Sequence, residues 1–238
     1  MKKPDRSLAL CAALSATLFL AASAAAADLT VVSKVTFGGS TTTSTQYMTS
    51  EWSRSTDGQN DTIAHYPTGK MTMVDHKKKQ YYETSVEEMS AYLDRATRDL
   101  KGSPMEQMFG LAEEAEVEKL PGKQKIAGYD CERYSVSFGN ALELDLWVAP
   151  SLQPPPRYFE GRKLSYAAMG PMGKLFEKAF DEMKKIKGFP LSTAFIVRTP
   201  MSRTETVSEA TEVRKGAIPA STFELPAGYK KAKSPFAK

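Results

Sequence analysis

Two alternating runs joined by a tight turn commit the middle of this chain to an antiparallel hairpin. Tyr134, Val136 and Phe138 alternate with Arg133, Ser135 and Ser137; after Gly139-Asn140, Leu142, Leu144, Leu146 and Val148 alternate with Glu143, Asp145 and Trp147. A period of two sends successive side chains to opposite faces of a strand, and Gly-Asn between two such runs is a hairpin signal. One face is then leucine-rich and suited to a core. The other is charged and carries Trp147.

The same period recurs on both sides of this hairpin. In residues 28–37, Leu29, Val31, Val35 and Phe37 fall on one side of a strand. After the Gly38-Gly39 turn, residues 40–56, rich in threonine with Tyr47, Met48 and Trp52, read as one long strand. Asp57-Gly58 and Asn60-Asp61 end it, and strands follow at 62–66, 69–75 and 80–83, with His76 to Lys79 as a charged, solvated turn. Pro121-Gly122 predicts another turn, and two further strands are expected at 191–198 and 204–213.

Two stretches break this period. Ser85 and Glu88 stand in capping-box relation, and Val86, Met89, Leu93, Ala96 and Leu100 recur at helical spacing. Ser103-Pro104-Met105-Glu106 starts a second helix, with Met105 and Met108 on its apolar side. Beyond Pro154-Pro155-Pro156, Met169, Met172, Phe176 and Met183 belong to another helical stripe. The class is therefore α+β: an antiparallel sheet of about nine strands or more, with helical inserts burying their stripes on one of its faces.

At the N-terminus, Lys2, Lys3 and Arg6 precede an apolar run from Leu8 to Leu20, and Ala25-Ala26-Ala27 supplies small residues before Asp28. This layout predicts a cleaved secretory signal peptide over residues 1–27, a single domain over 28–230 and a flexible basic tail over 231–238. A periplasmic or secreted location is expected, with no transmembrane span once the signal is removed. The formal charge is +4, of which Lys2, Lys3 and Arg6 against Asp5 account for two. The remainder is too close to neutral to attract nucleic acid. Of the two cysteines, Cys11 leaves with the signal, so Cys131 has no internal partner and is expected as a buried thiol.

Two stretches resemble a known group. Lys125-Ile126-Ala127-Gly128-Tyr129-Asp130-Cys131-Glu132-Arg133-Tyr134 enters the central hairpin, and residues 218–229 close the chain with Phe-Glu-Leu-Pro-Ala-Gly-Tyr. Together with the order of strands and helices, they make the chain resemble the LolA/LolB-like exported proteins, most closely a LolA-like envelope family of unknown function. The resemblance implies a strongly curved, open half-barrel with helices across its concave side. In the lipoprotein carriers of that group the concavity holds acyl chains, and in related envelope sensors it serves protein recognition. No cargo-handover residue of the carriers is matched here.

Catalytic patterns are absent from the sequence. His65 and His76 sit beside separate turns, no cluster has metal-ligand spacing, and Asp57 to Asp61 lacks the full calcium-loop pattern. There is no phosphate-cradling glycine loop and no nucleophile elbow. The chain reads as non-catalytic, without metal or cofactor. Its positive signal is methionine in the helical inserts, a flexible, polarisable side chain suited to adaptable apolar surfaces and equally to ordinary core. The candidate ligand cavity comprises Val31, Val35, Phe37, Met105, Met108, Leu142, Leu144, Leu146, Met169, Met172, Phe176 and Phe195. Its expected occupant is a lipid or lipoprotein acyl chain, each buried methylene contributing about 0.8 kcal/mol. The alternative is an envelope protein bound at a sheet edge or through Trp147.

Overall fold

A computed structural model of the chain describes residues 27–96, 115–139, 142–161, 181–198 and 202–236. Most of the expected signal peptide lies outside the described residues, as do Met105, Met108, Met169, Met172 and Phe176. Among the described residues no helix is long and apolar enough to cross a membrane.

Among the described residues twelve strands form one open sheet. β1 (Leu29–Phe37), β2 (Ser40–Met48), β3 (Trp52–Thr56), β4 (Asn60–His65), β5 (Lys70–Asp75) and β6 (Gln80–Ser85) follow one another as a meander. β7 (Glu116–Ile126), β8 (Tyr129–Phe138), β9 (Leu142–Ala149), β10 (Phe189–Arg198) and β11 (Arg203–Lys215) form a second. Antiparallel pairing of β1 with β11 joins the two, and the two-residue β12 (Lys230–Lys231) lies parallel to β6 at one edge. β7 forms the other edge. Three strands separate β7 from β11, yet their Cα atoms come within 8 Å. A flat sheet would hold them roughly 19 Å apart at the usual inter-strand spacing, so this half is strongly curled.

Two local expectations, both on strand ends, are corrected. Residues 40–56 are two strands, not one. Thr49 makes the turn between them by accepting hydrogen bonds at Oγ1 from the Glu51 and Trp52 amides, at 3.2 and 2.9 Å. A hydroxyl turn of this kind carries no Gly or Pro to announce it. Pro121-Gly122 does not end a strand: it lies within β7, where the pairing with β8 shifts register between Leu120 and Lys123. The basic tail is laid along the sheet, with Lys230–Lys231 as β12 and Phe236 packed against Tyr82 and Tyr92.

Helix is a smaller part of the described molecule than the sequence suggests. Among the described residues the longest helical stretch is α1 (Val86–Ala96), which starts at the expected capping box. The Glu88 amide donates to Ser85 Oγ at 3.2 Å, and the Ser85 amide donates to the Glu88 carboxylate at 3.3 Å. Val86 and Met89 then pack on Ala64, Tyr66 and Met71.

Two larger clusters hold most of the remaining core among the described residues. Val136, Phe138, Leu142, Leu144, Leu146 and Val148 line one under Met183. The other draws Leu29, Val31 and Met48 from the first meander together with Ile126, Cys131, Phe189 and Leu191 from the second. Cys131 is a free, buried thiol, and burial raises its pKa above the ordinary thiol range.

Candidate functional site

Cross-strand register shows how the expected cavity residues lie. Val136, Leu144, Phe195, Thr206 and Phe37 are successive partners across β8, β9, β10, β11 and β1. The neighbouring row is Tyr134, Leu146, Thr193, Ser208 and Val35. Leu144, Leu146, Phe195, Val35 and Phe37 therefore share one face, with Leu142 and Val31 further along the same strand faces. Burial falls across it. Leu142, Leu144 and Leu146 are packed under Met183, Val35 and Phe195 are half-buried, and Phe37 is 59% exposed. Trp147 projects from the opposite face of β9. The Arg133 guanidinium lies 5.8 Å from its ring centroid, and bare Gly122 lets β7 come close to the ring edge. The ring is half-covered by its own protein.

A second arrangement lies on the other face of the first meander, beneath a strap formed by residues 217–229. Leu29, Met48, Ser53, Ala64 and Met71 are successive partners, so Trp52 and Arg54, the neighbours of Ser53, point away from α1. The strap crosses on that side. The Ile218 amide donates to Asp28 Oδ2 at 3.2 Å, Arg54 Nη1 donates to the Thr222 carbonyl at 2.6 Å, and Tyr229 reaches His76 at the far end. Phe223, in the short 3-10 turn Ala220–Phe223, stacks on Trp52 at 6.0 Å, and His65, the cross-strand partner of Trp52, packs against the same ring system at 4.2 Å. Between strap and sheet lies an open, mainly apolar depression of about 360 Å³, lined by Thr49, Trp52, Ile218, Ala220, Phe223 and Glu224.

A polar network anchors the strap beside this depression. Asp61 has no exposed side-chain surface; it accepts from Arg54 Nη2 at 2.5 Å and lies 2.9 Å from His76 Nε2. His76 Nδ1 is 2.7 Å from the Tyr229 hydroxyl. Burial pushes the Asp61 carboxyl up, but hydrogen bonds from Thr56 and His76 and the Arg54 charge outweigh it, and its pKa is lowered. His76, expected at a solvated hairpin tip, is thus held on both ring nitrogens. Nothing in the residues around His76 signals this, because Tyr229 lies 153 residues away. The available signal was the closing motif itself: Phe223, Leu225 and Tyr229 belong to neither a period-two nor a helical stripe, so they need some other surface for burial.

The domain of unknown function DUF4412 matches residues 33–229. The chain belongs to the DUF4412 family. No curated protein matches it. Among solved structures, an uncharacterised conserved protein from Thermus thermophilus aligns at 6% identity and a TM-score of 0.48, covering 87% of this chain and 90% of that one. MucB of Pseudomonas aeruginosa, in its complex with MucA, aligns at 13% identity and a TM-score of 0.45, covering 86% of this chain and 56% of the other. PNGF-II aligns at 13% and 0.41, covering 88% and 31%. The DUF4412 chain thus spans about a third of PNGF-II and little more than half of the MucB structure.

Among the described residues of this DUF4412 domain, no group of three or more His, Cys, Asp and Glu side chains is placed to hold a metal ion. The Asp61–His76–Tyr229 chain joins the strap to the sheet.

Proposed function

We propose that this chain is an exported, non-catalytic binding module of the cell envelope that takes an apolar ligand, such as a lipid or acyl chain, in the depression that Trp52 and Phe223 help to line. The observation that carries the reading is that depression. Its walls are mainly apolar, its volume lies at the lower end of the range for small-molecule sites, and a few polar groups stand at its margin. Trp52 lines the depression and is already held in place by its ring contacts with His65 and Phe223, so little side-chain freedom is lost when a ligand meets it. The three-part N-terminal layout supports export. The occupant expected from the sequence is retained, but its place shifts from the leucine-rich face, where Leu142, Leu144 and Leu146 are covered by the protein itself, to the space under the strap.

Titration with the apolar fluorophore N-phenyl-1-naphthylamine tests this. Saturable enhancement is expected. Trp52→Ala and Phe223→Ala each weaken binding by roughly tenfold, while Trp147→Ala leaves it unchanged. Absence of saturable binding, or binding indifferent to Trp52 and Phe223, would remove the reading.

A further inference from the structure

The two edges of the sheet are treated differently. β7 is blunted: a register shift at Pro121-Gly122 interrupts it, and Lys119, Lys123 and Lys125 are exposed along it. Such features resist the addition of a further strand. The β6 edge has no such interruption. It is closed instead by the chain's own C-terminal segment, which makes the one parallel pairing among the described strands.

That closure is slight. Lys230 N donates to the Lys79 carbonyl at 3.0 Å and Ala232 N to the Tyr81 carbonyl at 2.7 Å. β12 pairs with Gln80 and Tyr81 alone, and among the described residues Tyr82 to Ser85 have no strand partner on their outer side. Side chains make the remaining contacts. The Lys231 ammonium meets the Glu83 carboxylate, and five residues later the Phe236 ring lies 6.1 Å from Tyr82 and 5.4 Å from Tyr92, where Tyr92 is 39% exposed. An acidic group on the strand and an aromatic corner between strand and helix are thus matched by a lysine on a short strand and by a phenylalanine that a turn at Pro235–Phe236 brings back, its amide donating to Ser234 Oγ at 3.2 Å.

We propose that the β6 edge is a docking site for an extended basic segment of a partner protein, and that residues 230–236 occupy it as an intramolecular stand-in. The occupant adds as a strand parallel to β6, places a lysine or arginine on Glu83 and sets an aromatic ring between Tyr82 and Tyr92. Backbone pairing supplies affinity, and the two side-chain contacts supply selectivity. The tail competes for the same groups, so the edge opens only to a segment that outcompetes a tethered rival. This site is separate from the depression under the strap and does not depend on it.

The test uses the full chain carrying Lys231→Glu and Phe236→Ala, which release the tail, and a fluorescein-labelled peptide Lys-Lys-Ala-Lys-Ser-Pro-Phe as probe. The released chain is expected to bind the peptide at least roughly tenfold more tightly than the native chain by fluorescence anisotropy. Adding Glu83→Lys removes that gain, and a peptide with Glu at its second position restores it. Phe236→Ala alone serves as the milder release if the double variant loses its native circular dichroism. Equal binding to native and released chains, or binding indifferent to Glu83, overturns the proposal. So does a released chain that dimerises in sedimentation without taking the peptide, which assigns the edge to a second copy.

Discussion

An aspartate with no solvent-exposed side-chain surface needs its charge answered inside the protein, and Asp61 is answered by Arg54 and His76 together. Removing one member of such a group leaves the others desolvated with nothing in exchange. Asp61→Asn is therefore expected to destabilise the chain by about 3 kcal/mol in urea denaturation. Tyr229→Phe removes a single hydrogen bond to His76 and should cost about 1 kcal/mol. The two also differ in pH dependence. Because the folded state lowers the Asp61 pKa, the unfolded chain binds its proton first as pH falls. The Asp61 contribution is complete above its unfolded value of about 3.9 and is lost as pH drops through the lower folded value. Denaturation at pH 3 and pH 7 checks this: the gap between native and Asp61→Asn should narrow at the lower pH, whereas the effect of Tyr229→Phe through this carboxylate is present wherever Asp61 stays ionised.

Elements were legible where local chemistry settled them. The hairpin of β8 and β9 follows its alternation, and α1 starts at Ser85 because the capping box satisfies amides that the first helical turn leaves free. Ser85→Ala should cost about 1 kcal/mol of stability, read by urea denaturation. What local pattern could not convey is how deeply each apolar face is covered. Leu144 and Phe37 belong to one cross-strand row and carry equivalent period-two signals, yet Leu144 is 5% exposed and Phe37 is 59% exposed. Leu144 lies in the cluster to which Met183, Phe159 and Ile186 come from the β9–β10 connection, a route the strand pattern does not specify, whereas Phe37 belongs to no such cluster. Leu144→Ala is accordingly expected to cost about 3 kcal/mol and Phe37→Ser less than about 0.5 kcal/mol. The candidate site was harder still. Trp52 and the closing motif were both visible in the sequence, but they meet only because the strap crosses the sheet, and that route is fixed by contacts such as Arg54 with Thr222, 168 residues apart.

At the scale of the whole molecule, the two meanders could in principle behave as separate units, since each is built from neighbouring antiparallel strands. The core argues otherwise. β1 pairs with β11 along its full length, and one apolar cluster contains Leu29, Val31 and Met48 from the first meander with Ile126, Phe189 and Leu191 from the second. Neither half can keep these side chains from water alone, so opening one exposes the core of the other. The two tryptophans make this measurable, because Trp52 lies in β3 and Trp147 in β9. Trp147→Phe leaves a reporter of the first half and Trp52→Phe a reporter of the second. When each is compared with far-ultraviolet circular dichroism on the same variant, fluorescence and dichroism should give the same denaturation midpoint in both cases. A Trp52 signal that is lost while the dichroism of the second meander persists would show the halves unfolding separately. Refolding should be slow, on the order of milliseconds to seconds, because the β1–β11 ladder that couples the halves closes a long loop before any of its contacts form.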